Sequence, residues 1–292
     1  MFVRDKYVGC EMKLGQTTVR VRRRVGIDRV VVSFVLCFFA IVGGTVVTVA
    51  VLNAGRNVLT VEALSQEDPA DIAFANFRGV TVGNLKDGML YRSASPVNNT
   101  YKRASVVDRM AQKVGIQYIV NLSDNIDEVT EHINKDDYDS PYYLSLHNAG
   151  KEVLLDIEVD FRERNFGEKL VKGLVAMTEN EGPYLVHCVE GKDRTGFVMM
   201  ILEALTGASY KEMVDDYMLT YDNYSGINQE SNVEKYEKIK KENIDAMLHY
   251  IIGDKKADLT EISDYSGYAK DYLKSMGMSE ESIEKLVEKL SK

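Results

Sequence analysis

Two side chains suited to phosphate chemistry, the thiol of Cys188 and the guanidinium of Arg194, lie six positions apart in one short stretch. A cysteine thiolate is a strong nucleophile, and a guanidinium can hold two oxygens of a phosphate in a bidentate fork. Gly191 and Gly196 allow the backbone to turn and to approach a ligand closely. The hydroxyl of Thr195 can donate a hydrogen bond to the sulfur. The stretch therefore predicts nucleophilic attack on phosphorus.

The residues around this stretch predict a strand, a tight loop and a helix. An apolar run at 183–186 is typical of a buried strand, and Phe197 to Leu205 is typical of a buried helix. This arrangement aims backbone N–H groups and a helix N-terminus at one point, which makes an anion site. His187 is predicted to shape the loop through a hydrogen bond. The predicted substrate-binding residues are Val189, Glu190, Gly191, Lys192, Thr195 and Gly196.

The run His-Cys-Val-Glu-Gly-Lys-Asp-Arg-Thr-Gly at 187–196 resembles the signature loop of the cysteine-dependent protein tyrosine phosphatase superfamily. Its Lys-Asp-Arg centre is similar to that of the bacterial branch of tyrosine and lipid phosphatases. Phe77-Arg78 and Leu90-Tyr91-Arg92-Ser93 resemble the opening of that branch. The resemblance implies an α/β fold with a mixed central sheet flanked by helices. It also implies hydrolysis of phosphate monoesters through a phosphocysteine on Cys188, with no metal or organic cofactor.

A leaving phenolate or alkoxide gains from a proton, so we expect a carboxyl group near the loop. In the resembling bacterial enzymes an Asp often ends the strand predicted at 117–122, whereas Asn121 stands there in this chain. Asp193, inside the signature loop, is the first candidate for the general acid. Asp124 is the second candidate, and a helix N-cap is its alternative role.

Several further elements follow from spacing and capping residues. Helical spacing over 101–114 ends at Gly115, and 231–252 predicts one long amphipathic helix. Ser209 and Glu212 form a predicted capping box at the start of another helix. The charged segment 151–165 has two interpretations, a mobile cover over the site or a solvated surface helix.

The first 52 residues predict a membrane anchor. Residues 1–29 hold eight Lys or Arg against three acidic residues, and Val30 to Leu52 follow with no charge. A helix of that length spans roughly 35 Å, enough for a bilayer core of about 30 Å. The positive-inside rule keeps 1–29 in the cytoplasm and exports the rest. A retained anchor is favoured over a cleaved signal segment, followed by a linker at 53–69 and a catalytic domain at 70–292.

Charge and cysteine content restrict the partners. The leader has a surplus of five positive charges, and removing it from the total of −9 leaves −14 for the rest of the chain. Nucleic acid and anionic lipid surfaces are therefore poor partners for the exported part. Cys10 and Cys37 fall in the leader and the span, so Cys188 alone remains for the catalytic domain. The four histidines show no metal-ligand spacing.

The substrate prediction remains open at this point. The resemblance implies phosphotyrosine in proteins first, with phosphoserine or phosphothreonine and phosphoinositides next. An inositol polyphosphate is the alternative, because Lys192 adds a second positive charge beside Arg194. Two other classes are a non-catalytic phosphate-binding module and a membrane receptor with a degenerate domain. The presence of both Cys188 and Arg194 speaks against the module. The receptor would need a ligand-binding domain that the sequence does not reveal.

Overall fold

The computed structural model describes the backbone of 7–14 and 17–24, together with residues 64 and 67–292. Strands β1 (Tyr7–Leu14) and β2 (Thr17–Arg24) pair as an antiparallel hairpin within a first unit that ends at residue 46. The predicted span at 30–52 lies outside the described residues. Across the residues that are described, no helix has the length and apolar character needed to cross a membrane.

The second unit is built on a five-stranded mixed sheet, which confirms the predicted α/β fold. Its order is β3–β4–β7–β5–β6, with β7 between the parallel neighbours β4 and β5. β6 is parallel to β5, and β3 is antiparallel to β4. The strands are β3 (Arg78–Gly79), β4 (Leu90–Ser93), β5 (Tyr118–Asn121), β6 (Glu152–Leu154) and β7 (Tyr184–His187).

The central strands are buried on both faces, as parallel strands between helical layers must be. Successive side chains of a strand point to opposite faces. Tyr184 and Val186 accordingly join one apolar cluster, and Leu185 joins the other. Because neither face meets water, the strand sequence is a continuous apolar run without polar alternation.

Helices cover both faces of this sheet. Residues of α1, α2, α3 and α4 fill one cluster, while residues of α5 to α11 fill the other. The helices on the first side are α1 (Pro69–Ala75), α2 (Ala104–Val114), α3 (Ile126–Ile133) and α4 (Pro141–Asn148). Those on the second side are α5 (Arg164–Glu179), α6 (Asp193–Leu205), α7 (Tyr210–Ser225), α8 (Val233–Ile239), α9 (Ala246–Ile252), α10 (Ser266–Ser275) and α11 (Glu280–Leu290).

Two helix boundaries that were predicted from capping residues are confirmed. Gly115 ends α2 in the left-handed conformation, with φ of 69°, and the capping box of Ser209 and Glu212 begins α7. The helix predicted at 231–252 is interrupted by a π-helical turn, Lys240–Asp245. A surface helix at 151–165 is wrong for most of that segment, because Glu152–Leu154 joins the sheet edge as β6 and only residues 164 and 165 begin α5.

The strand register shows that β4, β5 and β7 end at the same level of the sheet. His187 is level with Ser93 on one side and with Asn121 on the other. All three strands are parallel, so the segments that follow them emerge at one carboxyl edge of the sheet. Loops that follow parallel strands commonly form ligand sites at this edge.

Candidate functional site

The loop between β7 and α6 folds back over the end of β4. Cys188, directly after β7, is a free cysteine whose residue is only 3% exposed. Gly191 has a φ of 66°, and a Cβ at this position would lie 2.1 Å from the Ser93 carbonyl oxygen. No residue with a side chain could take this place without moving the strand, so the predicted need for glycine here has a direct steric cause.

The first turn of α6 brings the remaining signature residues around the loop. α6 begins at Asp193, and Thr195 and Gly196 are buried within its first turn. A Cβ on Gly196 would lie 2.4 Å from Cε2 of Tyr217, so this glycine allows α6 and α7 to pack closely. The backbone N–H groups of Val189 to Lys192 have no hydrogen-bond acceptor among the described residues. Together with the helix N-terminus they form a concave donor surface suited to an anion.

Arg194 opens onto a cavity of about 370 Å³. Its Nη1 donates a 2.9 Å hydrogen bond to the carbonyl of Ile157, in the loop that follows β6. This bond links the signature loop to segment 151–165, for which a cover over the site was one of two interpretations. The cavity is lined by Asn98, Ser123, Asp124, Glu128, Glu131, His132, Asp156, Ile157, Glu158, Val189 and Arg194.

Five of these lining residues are acidic, and we call them the carboxylate wall. The wall consists of Asp124, Glu128, Glu131, Asp156 and Glu158. Two lysines pair with it: Lys135 lies 3.2 Å from Glu131 and Lys169 lies 3.2 Å from Asp156. The cavity thus combines one arginine at its floor with an acidic side.

Asp124 is the most buried member of the carboxylate wall. Its Oδ2 accepts a 2.7 Å hydrogen bond from the Ser123 hydroxyl, and its Oδ1 lies 3.5 Å from Nε2 of His132. The Asn121 side-chain oxygen accepts hydrogen bonds from the N–H groups of Ser123 and Asp124, which shapes the turn that presents Asp124. The alternative role of Asp124 as N-cap is wrong, because Asn125 caps α3.

Asp193 has different surroundings from Asp124. It does not line the cavity, its side chain is 42% exposed, and Lys192 Nζ lies 3.6 Å from its Oδ2. The same ammonium lies 3.5 Å from Glu190. The positive charge of Lys192 is thus opposed by two neighbouring carboxylates and is not directed into the cavity.

His187 and Thr195 are both fully buried. Burial is the main cause that lowers the pKa of His187 to about 4, so the ring is neutral near pH 7 and its Nδ1, 3.3 Å from the Cys188 carbonyl, can donate. The contact matches the predicted loop-shaping role. The expected bond from Thr195 to the sulfur is not formed, because its hydroxyl has no hydrogen-bond partner in the described part of the chain.

A buried ionic cluster lies beside the signature loop. The carboxylate of Asp216 bridges two arginines: its Oδ1 is 2.7 Å from Arg78 Nε, and its Oδ2 contacts Arg92 Nη1. Burial opposes ionisation of Asp216, but the two guanidiniums outweigh it and hold its pKa below the usual range. Burial, followed by the neighbouring Asp216 charge, raises the pKa of Glu203. Through Asp216 the two arginines link β3 and β4 to α7, which is a structural role for Arg78 and Arg92.

The sequence model of the tyrosine phosphatase family matches residues 74–292, three quarters of the chain. The chain belongs to the tyrosine phosphatase family. The matched region contains the whole five-stranded sheet, the signature loop and the carboxylate wall.

Individual relatives match shorter parts of this family domain. A tyrosine-protein phosphatase of Nostoc commune is 30% identical over 114 residues, 37% of this chain and 39% of the relative. The triple specificity protein phosphatase PtpB of Mycobacterium tuberculosis is 31% identical over 78 residues, 27% of this chain and 28% of the relative. The chain therefore spans less than half the length of either curated relative.

Among solved structures, the chain is similar to the core catalytic domain of the PP-IP phosphatase SIW14 from S. cerevisiae in complex with citrate. It is 17% identical, covers 57% of this chain and 91% of its own, and has a TM-score of 0.34. A likeness at this level carries no argument about substrate.

Two further observations concern a second cavity and possible metal ligands. A separate cavity of about 380 Å³ lies along α7 and the following loop, lined by residues such as Asp215, Met218 and Asn228, with no signature-loop residue. Among the described residues, no three His, Cys, Asp or Glu side chains are grouped to hold a metal ion.

Sequence reasoning missed Asp156 and Glu158. The signal that could have identified them is the apolar run Val153-Leu154-Leu155 directly before Asp156, which is typical of a short strand ending in a carboxylate. Asp156 also adopts a φ of +46°, a conformation that costs a non-glycine residue energy and occurs often at functional sites.

Proposed function

We propose that the chain is a cysteine-dependent phosphatase that hydrolyses phosphate monoesters. The Cys188 thiolate attacks phosphorus, the bond to the leaving oxygen breaks, and a phosphocysteine forms. Arg194 and the free amides of the signature loop hold the other phosphate oxygens through the transition state. Water then attacks phosphorus, the sulfur leaves as the thiolate, and inorganic phosphate is released. The observation that carries this proposal is the row of unpartnered amides around Cys188 in a chain of the tyrosine phosphatase family.

We further propose Asp124 as the general acid, ahead of Asp193. Asp124 shares the cavity with Arg194, whereas Asp193 does not line it. In the first step the carboxylic acid gives its proton to the leaving oxygen, and in the second the carboxylate takes a proton from the attacking water. The neighbouring Ser123 hydroxyl and His132 ring fix the orientation of the carboxyl group.

For the substrate we propose phosphotyrosine in proteins, with basic residues near the phosphorylated side chain. The carboxylate wall would pair with lysine or arginine of such a peptide, and it would repel the additional phosphates of an inositol polyphosphate. The argument from sequence for a polyphosphorylated ring relied on Lys192, which pairs with Glu190 and Asp193 instead.

We also propose that residues 30–52 anchor the chain in the cell membrane, with the phosphatase domain outside the cytoplasm. The uncharged run of 23 residues after a basic leader supports this. Membrane fractionation of the full chain, followed by protease treatment of intact cells, tests both parts. A chain that stays in the supernatant, or a membrane-bound domain that resists protease until lysis, would contradict them in turn.

The direct test of the activity uses the purified chain and three substrate types: phosphotyrosine peptides with basic or acidic flanks, phosphoinositides, and inositol hexakisphosphate. We expect the basic-flanked phosphotyrosine peptides to have the highest kcat/KM. Cys188→Ser should abolish turnover and retain phosphate binding. Equal turnover by Cys188→Ser and the wild type would remove the proposed function, and phosphate binding without wild-type turnover would favour a binding module.

A further inference from the structure

Every carbonyl at the start of the signature loop is held by a group outside residues 188–192. Four successive peptide units share this property. His187 Nδ1 lies 3.3 Å from the Cys188 oxygen, and the Ser95 N–H donates to the Val189 oxygen at 3.1 Å. The Tyr224 hydroxyl donates to the Glu190 oxygen at 2.6 Å. The Gly191 oxygen accepts from both Arg92 Nη2 at 2.9 Å and Asn76 Nδ2 at 3.1 Å.

These contacts determine where the loop amides point. In a planar trans peptide the C=O and the following N–H point in opposite directions. Holding the Glu190 oxygen outward therefore turns the Gly191 N–H inward, and the same reasoning applies to the N–H groups of Val189, Glu190 and Lys192. These are the amides that lack an acceptor among the described residues. The donors that hold the loop carbonyls from outside thus set the orientation of the amides that would bind an anion.

Tyr224 is the outside donor whose contribution can be removed most cleanly. It lies near the end of α7, and its half-buried ring carries the Arg103 guanidinium 4.0 Å from the ring centroid. Burial is the main cause that raises the pKa of this phenol, so the hydroxyl keeps its proton near neutral pH. The contact with Arg103 restrains the ring, and the hydrogen bond to the Glu190 carbonyl restrains the hydroxyl, so the phenol oxygen has one orientation.

We propose that Tyr224 is a positioning residue for anion binding, because its hydroxyl fixes the peptide unit between Glu190 and Gly191. The inference rests on the proposed phosphatase function, since it concerns how the same loop receives the phosphoryl group. Tyr224 touches no reacting atom in this account and acts through the orientation of the Gly191 N–H.

Tyr224→Phe tests the proposal, because it removes the hydroxyl and keeps the ring under Arg103. The matched control is Tyr142→Phe. The Tyr142 hydroxyl also donates a 2.6 Å hydrogen bond to a backbone carbonyl, that of Ile116, but Ile116 lies outside the signature loop. Both variants lose one hydroxyl-to-carbonyl bond, so a purely structural role predicts similar losses in melting temperature and no change in ligand affinity.

The measurement is the affinity for inorganic phosphate by calorimetry, together with kcat and KM for an aryl phosphate. We expect Tyr224→Phe to weaken phosphate binding about 3- to 10-fold, the equivalent of one lost hydrogen bond, and Tyr142→Phe to bind as the wild type does. Phosphate binding by Tyr224→Phe within the error of the control would overturn the inference, as would absence of phosphate binding to the wild type.

The phosphate titration does not depend on turnover, so it separates two failures. A wild type that binds phosphate without hydrolysing esters contradicts the proposed function and leaves Tyr224 to be judged by affinity alone. A hydrolytic wild type with an unaffected Tyr224→Phe variant contradicts only the positioning role.

Discussion

The floor of the candidate site comes from one continuous stretch, residues 187–196, whereas its carboxylate wall is assembled from α3 and from the turns after β5 and β6. The floor carries the thiol, the guanidinium and the amides that an anion needs. The wall carries the acidic groups to which we assign the choice of flanking residues and the supply of a proton. Under the proposed function, the groups for the reaction come from one stretch of sequence, while the groups for substrate choice come from segments that are distant in sequence.

The largest expected effect is on the floor. Arg194→Lys keeps the positive charge but loses the bidentate fork, so kcat/KM for an aryl phosphate should fall about 10²- to 10³-fold. Arg164→Lys is the control, because Arg164 is an exposed arginine of α5 that pairs with Glu168. Steady-state kinetics on both variants checks the prediction, and equal rates for the two would break the assignment of the floor.

The next prediction tests whether the proton for the leaving group comes from Asp124 in the carboxylate wall or from Asp193 in the signature loop. Asp124→Asn should lower kcat about 10²-fold for an alkyl phosphate, whose leaving group needs a proton, and much less for para-nitrophenyl phosphate. Asp193→Asn serves as the matched control in the signature loop and should change neither substrate by more than about 3-fold. A greater loss in Asp193→Asn would restore Asp193 as the acid and confine the wall to substrate choice.

A smaller effect concerns the charge of the wall. Glu131→Lys combined with Glu158→Lys should reduce the preference for basic-flanked over acidic-flanked phosphotyrosine peptides by about 10-fold in kcat/KM. Glu168→Lys reverses an exposed acid of α5 that does not line the cavity, and it should leave the ratio unchanged. If the ratio of kcat/KM for basic-flanked over acidic-flanked peptides is unchanged in the double variant, the carboxylate wall does not select the flanking residues.

The last prediction concerns stability and not rate: a pH dependence caused by His187, the first residue of the floor. The buried His187 has a pKa of about 4 against 6.5 for a free histidine, so unfolding takes up a proton between these values. Its contribution to stability is complete above pH 6.5 and is lost as the pH falls towards 4, at a rate of at most about 1.4 kcal/mol per pH unit.

His187→Asn should flatten this part of the curve, because its amide can donate to the Cys188 carbonyl without titrating. Urea unfolding at several pH values measures the slope. Carboxylates remote from His187 contribute equally to both proteins, so the comparison isolates the histidine together with its interaction with Asp124. Parallel curves for variant and wild type would mean that His187 is not held neutral in the fold.

The floor was predictable because its geometry follows from neighbours in sequence. A buried strand, a loop with Gly191 and a helix N-terminus converge as predicted, and the 2.1 Å distance explains why a side chain is excluded at Gly191. The donors that hold the loop carbonyls, such as Tyr224 and Ser95, come from distant segments and were not predictable in this way. The mixed sheet was expected from the family resemblance and not from the strands alone, because β3 is only Arg78–Gly79 and β4 contains Arg92.

The wall was not predictable in the same way. Asp124, Glu131 and Glu158 become neighbours only because β5 and β6 are adjacent and parallel, so that their carboxyl ends and α3 meet. Asp193 was the first candidate because it lies inside the signature loop, but of the neighbours Asp193 and Arg194 only Arg194 lines the cavity. The buried cluster of Arg78, Arg92 and Asp216 was hidden for a similar reason, because its members come from two strands and α7.

The most direct test of the account is to trap the covalent intermediate. The purified chain is mixed with para-nitrophenyl phosphate, quenched in acid within the first turnovers, digested, and analysed by mass spectrometry at the peptide that contains Cys188. The account predicts a phosphoryl group on the Cys188 sulfur that disappears once substrate is exhausted. Sustained turnover with no adduct on Cys188, or with an adduct on another residue, would contradict it.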